Sequence, residues 1–136
     1  MTDINAAISA AASGMRAQQT RMRIAAENIA NANSSGTNPN EDPFRRRIPL
    51  LETTTLTSGA RGVRVEGAVN DMSQFREEYN PSHPAADDRG YVRLPNVDTL
   101  VEMMDMREAT RAYEANLNMI EAARTMTSRA LDLLRR

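Results

Sequence analysis

The sequence predicts a mainly α protein. Two long helices, one at each end of the chain, pack as a coiled coil, and a small β-rich middle segment lies outside them. Three observations predict it. Apolar residues recur at helical spacing over about the first 33 residues and again from residue 96 onward, with no proline in either stretch. All six prolines lie between residues 36 and 95, together with four of the five aromatic residues, Phe44, Phe75, Tyr79 and Tyr91. Eight of the nine methionines lie outside that middle segment. The chain therefore divides into an N-terminal helix segment 1–35, a middle segment 36–95 and a C-terminal helix segment 96–136.

In the first segment Ile4, Ile8, Ala11, Met15, Gln18, Met22, Ala25 and Ile29 alternate spacings of four and three, which is a heptad seam. Thr2 or Asp3 serves as the N-cap, and Asn31, Asn33 and Gly36 supply the stop. About 30 residues of helix span roughly 45 Å. The seam is flanked by Asn5, Ala12, Gln19 and Ala26 on one side and by Ala7, Gly14, Arg21 and Asn28 on the other. A two-stranded coiled coil in solution usually carries Glu, Lys or Arg there. Small flanks instead admit neighbours on more than one side. Ile24 lies off the seam altogether and needs a partner of its own.

The middle segment reads as short strands joined by turns. "FRRRIPLLETTTL" and "GVRVEGAV" have β-branched and alternating character, and "RGYVRL" is a further short strand. "TNPNEDP" and "NPSHPAADDRG" are turn-rich loops.

The third segment opens at "LPNVDTLVEMM". Pro95 ends what precedes it and Asn96 or Asp98 caps the helix. One stripe runs through Met103, Met106, Thr110, Tyr113, Leu117, Ile120, Arg124, Thr127, Leu131 and Leu134. A second runs beside it through Ala109, Ala112, Asn116, Met119, Ala123, Met126, Ala130 and Leu133. Two adjacent stripes make a face too wide for one partner helix. Glu108, Arg111 and Glu114, and Glu121 with Arg124, are spaced to form ion pairs along the helix. The helix spans on the order of 55 Å.

Burying a Leu, Ile or Met side chain contributes about 1.5–3 kcal/mol, and Ala much less. Ordering one residue costs about 1–2 kcal/mol of backbone entropy. Seams this rich in Ala, Gln and Thr are thinly provided for as an isolated pair. The terminal helices are therefore expected to be marginal alone and firm in an assembly, although periodicity does not separate packing within a chain from packing between chains.

Composition excludes several classes of function. Net charge is −1, which is not that of a nucleic-acid or anionic-membrane binder. Cysteine is absent, which excludes disulfides, thiolate metal sites and cysteine nucleophiles. No apolar run approaches the length that spans a bilayer. The opening residues lack the basic region of a cleaved secretory signal. All 17 basic residues are Arg, read first as codon bias and second as a recognition surface.

No constellation of catalytic, cofactor-binding or metal-ligating residues emerges. His83 is the only histidine and lies between Ser82 and Pro84 in a loop, without companions at ligand spacing. Asp87–Asp88 and Glu41–Asp42 lack the alternating pattern of a calcium loop. Glu77–Glu78 reads as a solvated edge. Arg45, Arg46 and Arg47 form the sharpest charge cluster. They read as a solvated face or as outer protein contacts, one pointing inward and two outward if the strand alternates. No aromatic stacking residues interleave with them, as a nucleic-acid groove would require. The residues do not suggest an enzyme.

"SGMRAQQTRMRIAAENIANANSSG" resembles the N-terminal motif of the bacterial flagellar rod and hook protein family, with S-G-M, a following Q, and A-x-N-I-A-N before a small polar stop. "YNPSHPAADDRGYVRLPNVDTLVEMMDMREATRAYEANLNMIEAARTM" is similar to the C-terminal half of proximal rod members, with N-P-x-x-P-x-A-x-x-x-G-Y-V and then P-N-V-D. The likeness covers residues 13–36 and 79–126. It implies a non-catalytic structural subunit of the basal body whose terminal helices pack as an inner layer around the hollow rod. It implies export by the flagellar type III apparatus without a cleaved signal, and a place in the periplasmic rod. The partners it implies are other copies of the chain, rod proteins of the FlgB, FlgF and FlgG type, the rod-base protein FliE and the membrane ring. Nucleic acid, a direct membrane span and cofactors are not expected. Subunit packing is expected at Ile8, Met15, Gln18, Met22, Ala26, Asn28, Ile29 and Asn31 of the first helix. On the last helix it is expected at Val97, Met106, Tyr113, Asn116, Leu117, Ile120, Ala123 and Leu131. The asparagines are expected to bridge groups between subunits. The stretch from Ser34 to Gly62 matches no family pattern, and Arg45, Arg46 and Arg47 are its candidates for outer contacts. The readings that compete are a helical-hairpin adapter or chaperone of an export system, and a phosphate- or nucleic-acid-binding module built on Arg45–Arg47.

Overall fold

The computed structural model describes residues 2–136; Met1, the first residue of the N-terminal segment, lies outside the described residues. The order is α1 (Thr2–Ala30), β1 (Arg47–Thr55), β2 (Arg61–Asn70), β3 (Arg76–Tyr79), β4 (Tyr91–Leu94) and α2 (Thr99–Leu134). Strands β1 and β2 form one antiparallel hairpin and β3 and β4 a second. The architecture is thus two long helices and two small two-stranded sheets in the middle.

Helix α1 is described from Thr2 onward, with Asp3 in its first turn; the cap expected at Thr2 lies outside the described side chains. Asp3 there places a negative charge at the positive end of the helix dipole. The helix stops where expected. The Asn31 amide donates to the Glu27 carbonyl at 2.8 Å, and Ala32 N–H bonds Ile29 at 3.2 Å, tightening the last turn. Gly36 follows because the chain folds back on itself: a Cβ there would stand 2.5 Å from the Glu41 carbonyl oxygen.

Each residue of "PNVD" has a separate task at the start of α2. Strand β4 ends at Leu94, and Pro95 is buried and lacks the N–H that would extend it. Val97 is buried. Asp98 caps the helix, accepting from Leu100 N–H at 3.0 Å. Asp98→Ala is expected to lower stability by about 1 kcal/mol, read as an earlier midpoint in urea. Asn96 does not cap; it ties loops together, as described below.

Two glycines satisfy the backbone of the insert. Between Leu50 and Leu51 the β1–β2 register slips by one residue, and Gly67 sits at this bulge with φ +151°. Gly90, at φ +87°, closes the β3–β4 connection, where a Cβ would meet the Tyr79 ring at 2.9 Å. Strand β3 carries the Glu77–Glu78 pair and is exposed along its length.

The core is small and mixed. The largest fully buried side chains are Ile24, Glu102, Val92, Val97, Asn28 and Pro95. Helix α1 lies between α2 and the β1–β2 hairpin, so it is covered on two sides. Burial within the chain follows a different phase from the heptad seam. Ile24, the off-seam residue expected to need a partner of its own, is 2% exposed and sits at the centre. Ile8, Met15, Gln18, Met22 and Ile29 are half-buried, and only Ala11 and Ala25 of the expected seam are fully buried. On α2 the line at seven-residue spacing that faces α1 most directly is Glu102, Ala109, Asn116 and Ala123. The helices run antiparallel, with Asn28 beside Glu102, Met22 beside Thr110 and Gly14 beside Asn116. On that register α2 from about Arg129 onward runs past the start of α1.

Candidate functional site

The first functional feature is a three-way crossing of α1, α2 and the hairpin. Ser13 is buried; its hydroxyl donates to the Ala10 carbonyl at 2.7 Å and accepts from Val63 N–H of β2 at 3.1 Å. Gly14 beside it admits α2, since a Cβ there would lie 2.7 Å from the Asn116 amide nitrogen. Gly62 does the same for the hairpin, with a Cβ position 2.6 Å from the Ser13 hydroxyl. The motif letters S and G thus have distinct physical roles: one bonds a strand, the other makes room for a helix.

The second feature is a charged joint at the other end of α1. The Asn28 side chain accepts from Arg47 N–H and donates to the Arg47 carbonyl, both at 2.9 Å, as a neighbouring strand would. Its amide also reaches Glu102 at 3.3 Å. Glu102 is 1% exposed and is hydrogen-bonded by the Arg46 guanidinium. The same guanidinium meets Asp105 at 3.3 Å and Asp71 at 3.5 Å. Asn96 completes the joint, accepting from Arg46 N–H at 2.8 Å and donating to the Asp71 carbonyl at 2.9 Å and the Ser73 hydroxyl at 3.0 Å. Among the described residues no buried side-chain polar atom lacks a partner. Burial works against the Arg46 charge, yet its pKa is raised, because the carboxylates of Glu102, Asp105 and Asp71 surround it.

The Asp71 carboxyl is held below the usual range by hydrogen bonds from the Ser73 backbone and hydroxyl and, after these, by Arg46. A carboxyl depressed by folding contributes stability above its unfolded pKa and loses it as pH falls through the folded one. Chain stability is therefore expected to fall below about pH 4, with a shallower fall in Asp71→Asn, as followed by thermal melts against pH.

Arginines stitch the rest of the insert. Arg45 stacks on Phe75 at 4.1 Å and bonds the Asp71 carbonyl at 3.2 Å. Arg76 joins the Ala32 and Pro95 carbonyls, both at 3.0 Å, and so ties the end of α1 to the start of α2. Arg93 pairs with Asp42 at 2.8 Å. A planar fork that bonds several acceptors suits this work better than an ammonium, which gives the all-arginine composition a structural use that neither sequence reading named. Of the Arg45–Arg47 cluster, Arg46 turns into the joint, while Arg47 faces Glu27 at 3.5 Å. His83 braces two loops: its Nδ1 accepts from Ala85 N–H at 3.0 Å and its Nε2 lies 3.2 Å from the Ser35 hydroxyl.

The third feature is the outer surface of α2. The Glu102–Ala123 line faces α1, and the line Met106, Tyr113, Ile120 and Thr127 is half-buried beside it. Beyond these, Met103, Leu117 and Leu131 are exposed on one flank and Met119, Met126 and Leu133 on the other. Among the residues expected to pack between subunits, Ala26, Leu117 and Leu131 are exposed, Asn31 and Asn116 half-buried, and Asn28, Val97 and Ala123 buried within the chain. The pairs expected along α2 do not form; the Glu108 carboxylate instead lies 4.0 Å from Arg21 of α1. Sequence reasoning missed Glu102, Ser13 and the stapling role of Asn96. A lone Glu at the head of a line otherwise made of Ala and Asn was the available signal for Glu102. Among the described residues no group of acidic or histidine side chains is placed to hold a metal, and no helix is long and apolar enough to cross a membrane.

Both ends of the chain match family models. Residues 8–37 match the flagella basal body rod protein model, and residues 88–133 match the flagellar basal body rod FlgEFG protein C-terminal model. These define the class as a flagellar basal-body rod protein, a structural component and not an enzyme. The flagellar basal-body rod protein FlgC of Agrobacterium fabrum is 44% identical over 99% of this chain and 98% of its own length. That of Aquifex aeolicus is 38% identical over 97% and 98%, and that of Borreliella burgdorferi 37% over 93% and 95%. The chain belongs to the FlgC family of flagellar rod proteins.

Proposed function

We propose that the chain builds the rod by helical assembly, its terminal helices packing between subunits as a coiled-coil inner layer and the middle segment lying outside. The observation that carries this is the pair of exposed apolar flanks on α2, left over after one line of the helix has met α1. Burying each Leu or Met there contributes about 1.5–3 kcal/mol, so neighbours on both sides stabilise an assembly that one chain cannot complete. The residues on offer are Ala26 of α1 with Leu117 and Leu131 of α2, and the half-buried Met15, Met22, Met106 and Ile120 at the edges of the intrachain contact. Arg45 and Arg47 keep outer faces available for contacts beyond the inner layer.

The partners are other copies of the chain and rod proteins of the FlgB, FlgF and FlgG type, with FliE and the membrane ring at the base. The rod so formed stands in the periplasm and transmits motor torque, and its subunits travel through the flagellar type III apparatus without a cleaved signal. The family resemblance of both helices supports this reading.

Ala26 gives a clean test because it is exposed. Ala26→Trp is expected to leave stability of the free chain within about 0.5 kcal/mol while abolishing swimming and removing rods from purified basal bodies. Normal motility at normal protein levels overturns the packing role. A density map of the rod reads the contacts directly.

A further inference from the structure

The chain has no cysteine, so its oxidisable sulfur is thioether. Four methionines of α2, Met103, Met104, Met119 and Met126, are 55–64% exposed. Met15, Met22 and Met106 are half-buried, and the Met22 sulfur already accepts the Thr110 hydroxyl at 3.4 Å. Met72 of the β2–β3 loop is exposed as well, and Met104 stands on the face of α2 turned away from α1; the other three lie on the flanks. Met119 and Met126 stand seven residues apart on one flank, and Met103 stands on the other with Leu117. Met119 also lines the mouth of the groove between α1, β2 and α2, beside Gly14, Leu51 and Val63.

We infer that these four methionines are an oxidative modification site that controls assembly: a hydroperoxide converts them to sulfoxides in the free chain, and the sulfoxides keep the flanks of α2 from docking. The inference rests on the assembly reading of those flanks. In the reaction the sulfur lone pair attacks the outer peroxide oxygen. The S–O bond forms as the O–O bond breaks, the proton on the transferred oxygen passes to the leaving oxygen, and water departs when the oxidant is hydrogen peroxide. The sulfur loses two electrons and the peroxide gains them. The product is a strong acceptor with no donor of its own, and burying it against apolar neighbours without a partner is costly. Exposure sets the selectivity. Once a subunit has docked, its flanks are covered, so sensitivity is confined to chains awaiting assembly. A sulfoxide reductase restores the thioether.

The first test treats the purified full-length chain with dilute hydrogen peroxide and follows peptide masses. Each of the four methionines is expected to gain one oxygen about tenfold faster than Met22; equal rates overturn the inference. The second uses cells that lack their own copy and express the chain during a peroxide pulse. Sulfoxide at the four positions is expected to be depleted about tenfold in purified basal bodies relative to unassembled chain from the same cells. Equal content in the two pools overturns the inference, while absence of the chain from basal bodies without peroxide overturns the assembly reading. In the same cells the pulse delays recovery of swimming, and M103L/M104L/M119L/M126L, which keeps volume and apolarity, is expected to remove most of that delay. An unchanged delay counts against the inference.

Discussion

Replacing Arg46 with Met is expected to lower the stability of the chain by about 3 kcal/mol, the lower end of the loss when one partner of a buried ion pair is removed. The lower end applies because the Arg46 side chain keeps 22% of its surface exposed. The substitution leaves Glu102 buried with the Asn28 amide as its one remaining side-chain donor among the described residues. It also removes the cation that Asp105 and Asp71 share with Glu102. For 136 residues the midpoint of thermal unfolding falls by roughly 10 °C. Glu102→Gln, which removes the charge and keeps the shape, is expected to cost about half as much. Arg46→Met combined with Glu102→Leu recovers most of the loss, since an apolar pair of similar volume replaces both charges. A double variant as unstable as the single one disproves the assignment of the loss to an unpaired carboxylate.

The second large effect is expected at Gly62. Gly62→Val places a Cβ 2.6 Å from the Ser13 hydroxyl and 2.8 Å from Leu56 Cδ1. The hairpin must then lift from α1, breaking the Val63 N–H bond to Ser13. Overpacking plus the lost bond amounts to about 2–4 kcal/mol. Ser13→Ala removes the same bond without adding bulk and is expected to cost about 1 kcal/mol. Hydrogen exchange at the Val63 amide separates the two causes: both variants expose it, and only the valine variant also loosens the rest of β2.

The two helices were legible because their signals are local. Apolar spacing, the Asn-rich stop after Ala30 and the Pro95–Asp98 start all act within a few residues. The strands β1, β2 and β4 were legible from β-branched alternation. Strand β3 was not: in "REEY" the pairing with β4 is carried by backbone, and all four residues are largely exposed, so no buried alternation marks the strand. Burial of α1 within the chain follows a different phase from the heptad seam for a related reason. A helix covered by α2 on one side and a hairpin on another has two buried faces, and their overlap at Ile24 and Asn28 follows neither heptad line alone. The joint was the least legible feature. Asn28, Arg46, Asn96 and Glu102 lie far apart in the chain, and a polar group satisfied at long range has no periodicity. The resemblance marked Asn28 and Asn96, but not what they hold.

The charged joint and the apolar flanks of α2 differ in how they respond to load. Greasy surfaces resist being pulled apart but slide sideways at little cost, since one methylene neighbour substitutes for another. A guanidinium bonded to three carboxylates has no equivalent position an ångström away, and neither has an asparagine gripping the N–H and C=O of one residue. Such a place behaves as a dowel: it holds the angle between the insert and the helices against shear, and it yields by breaking instead of creeping.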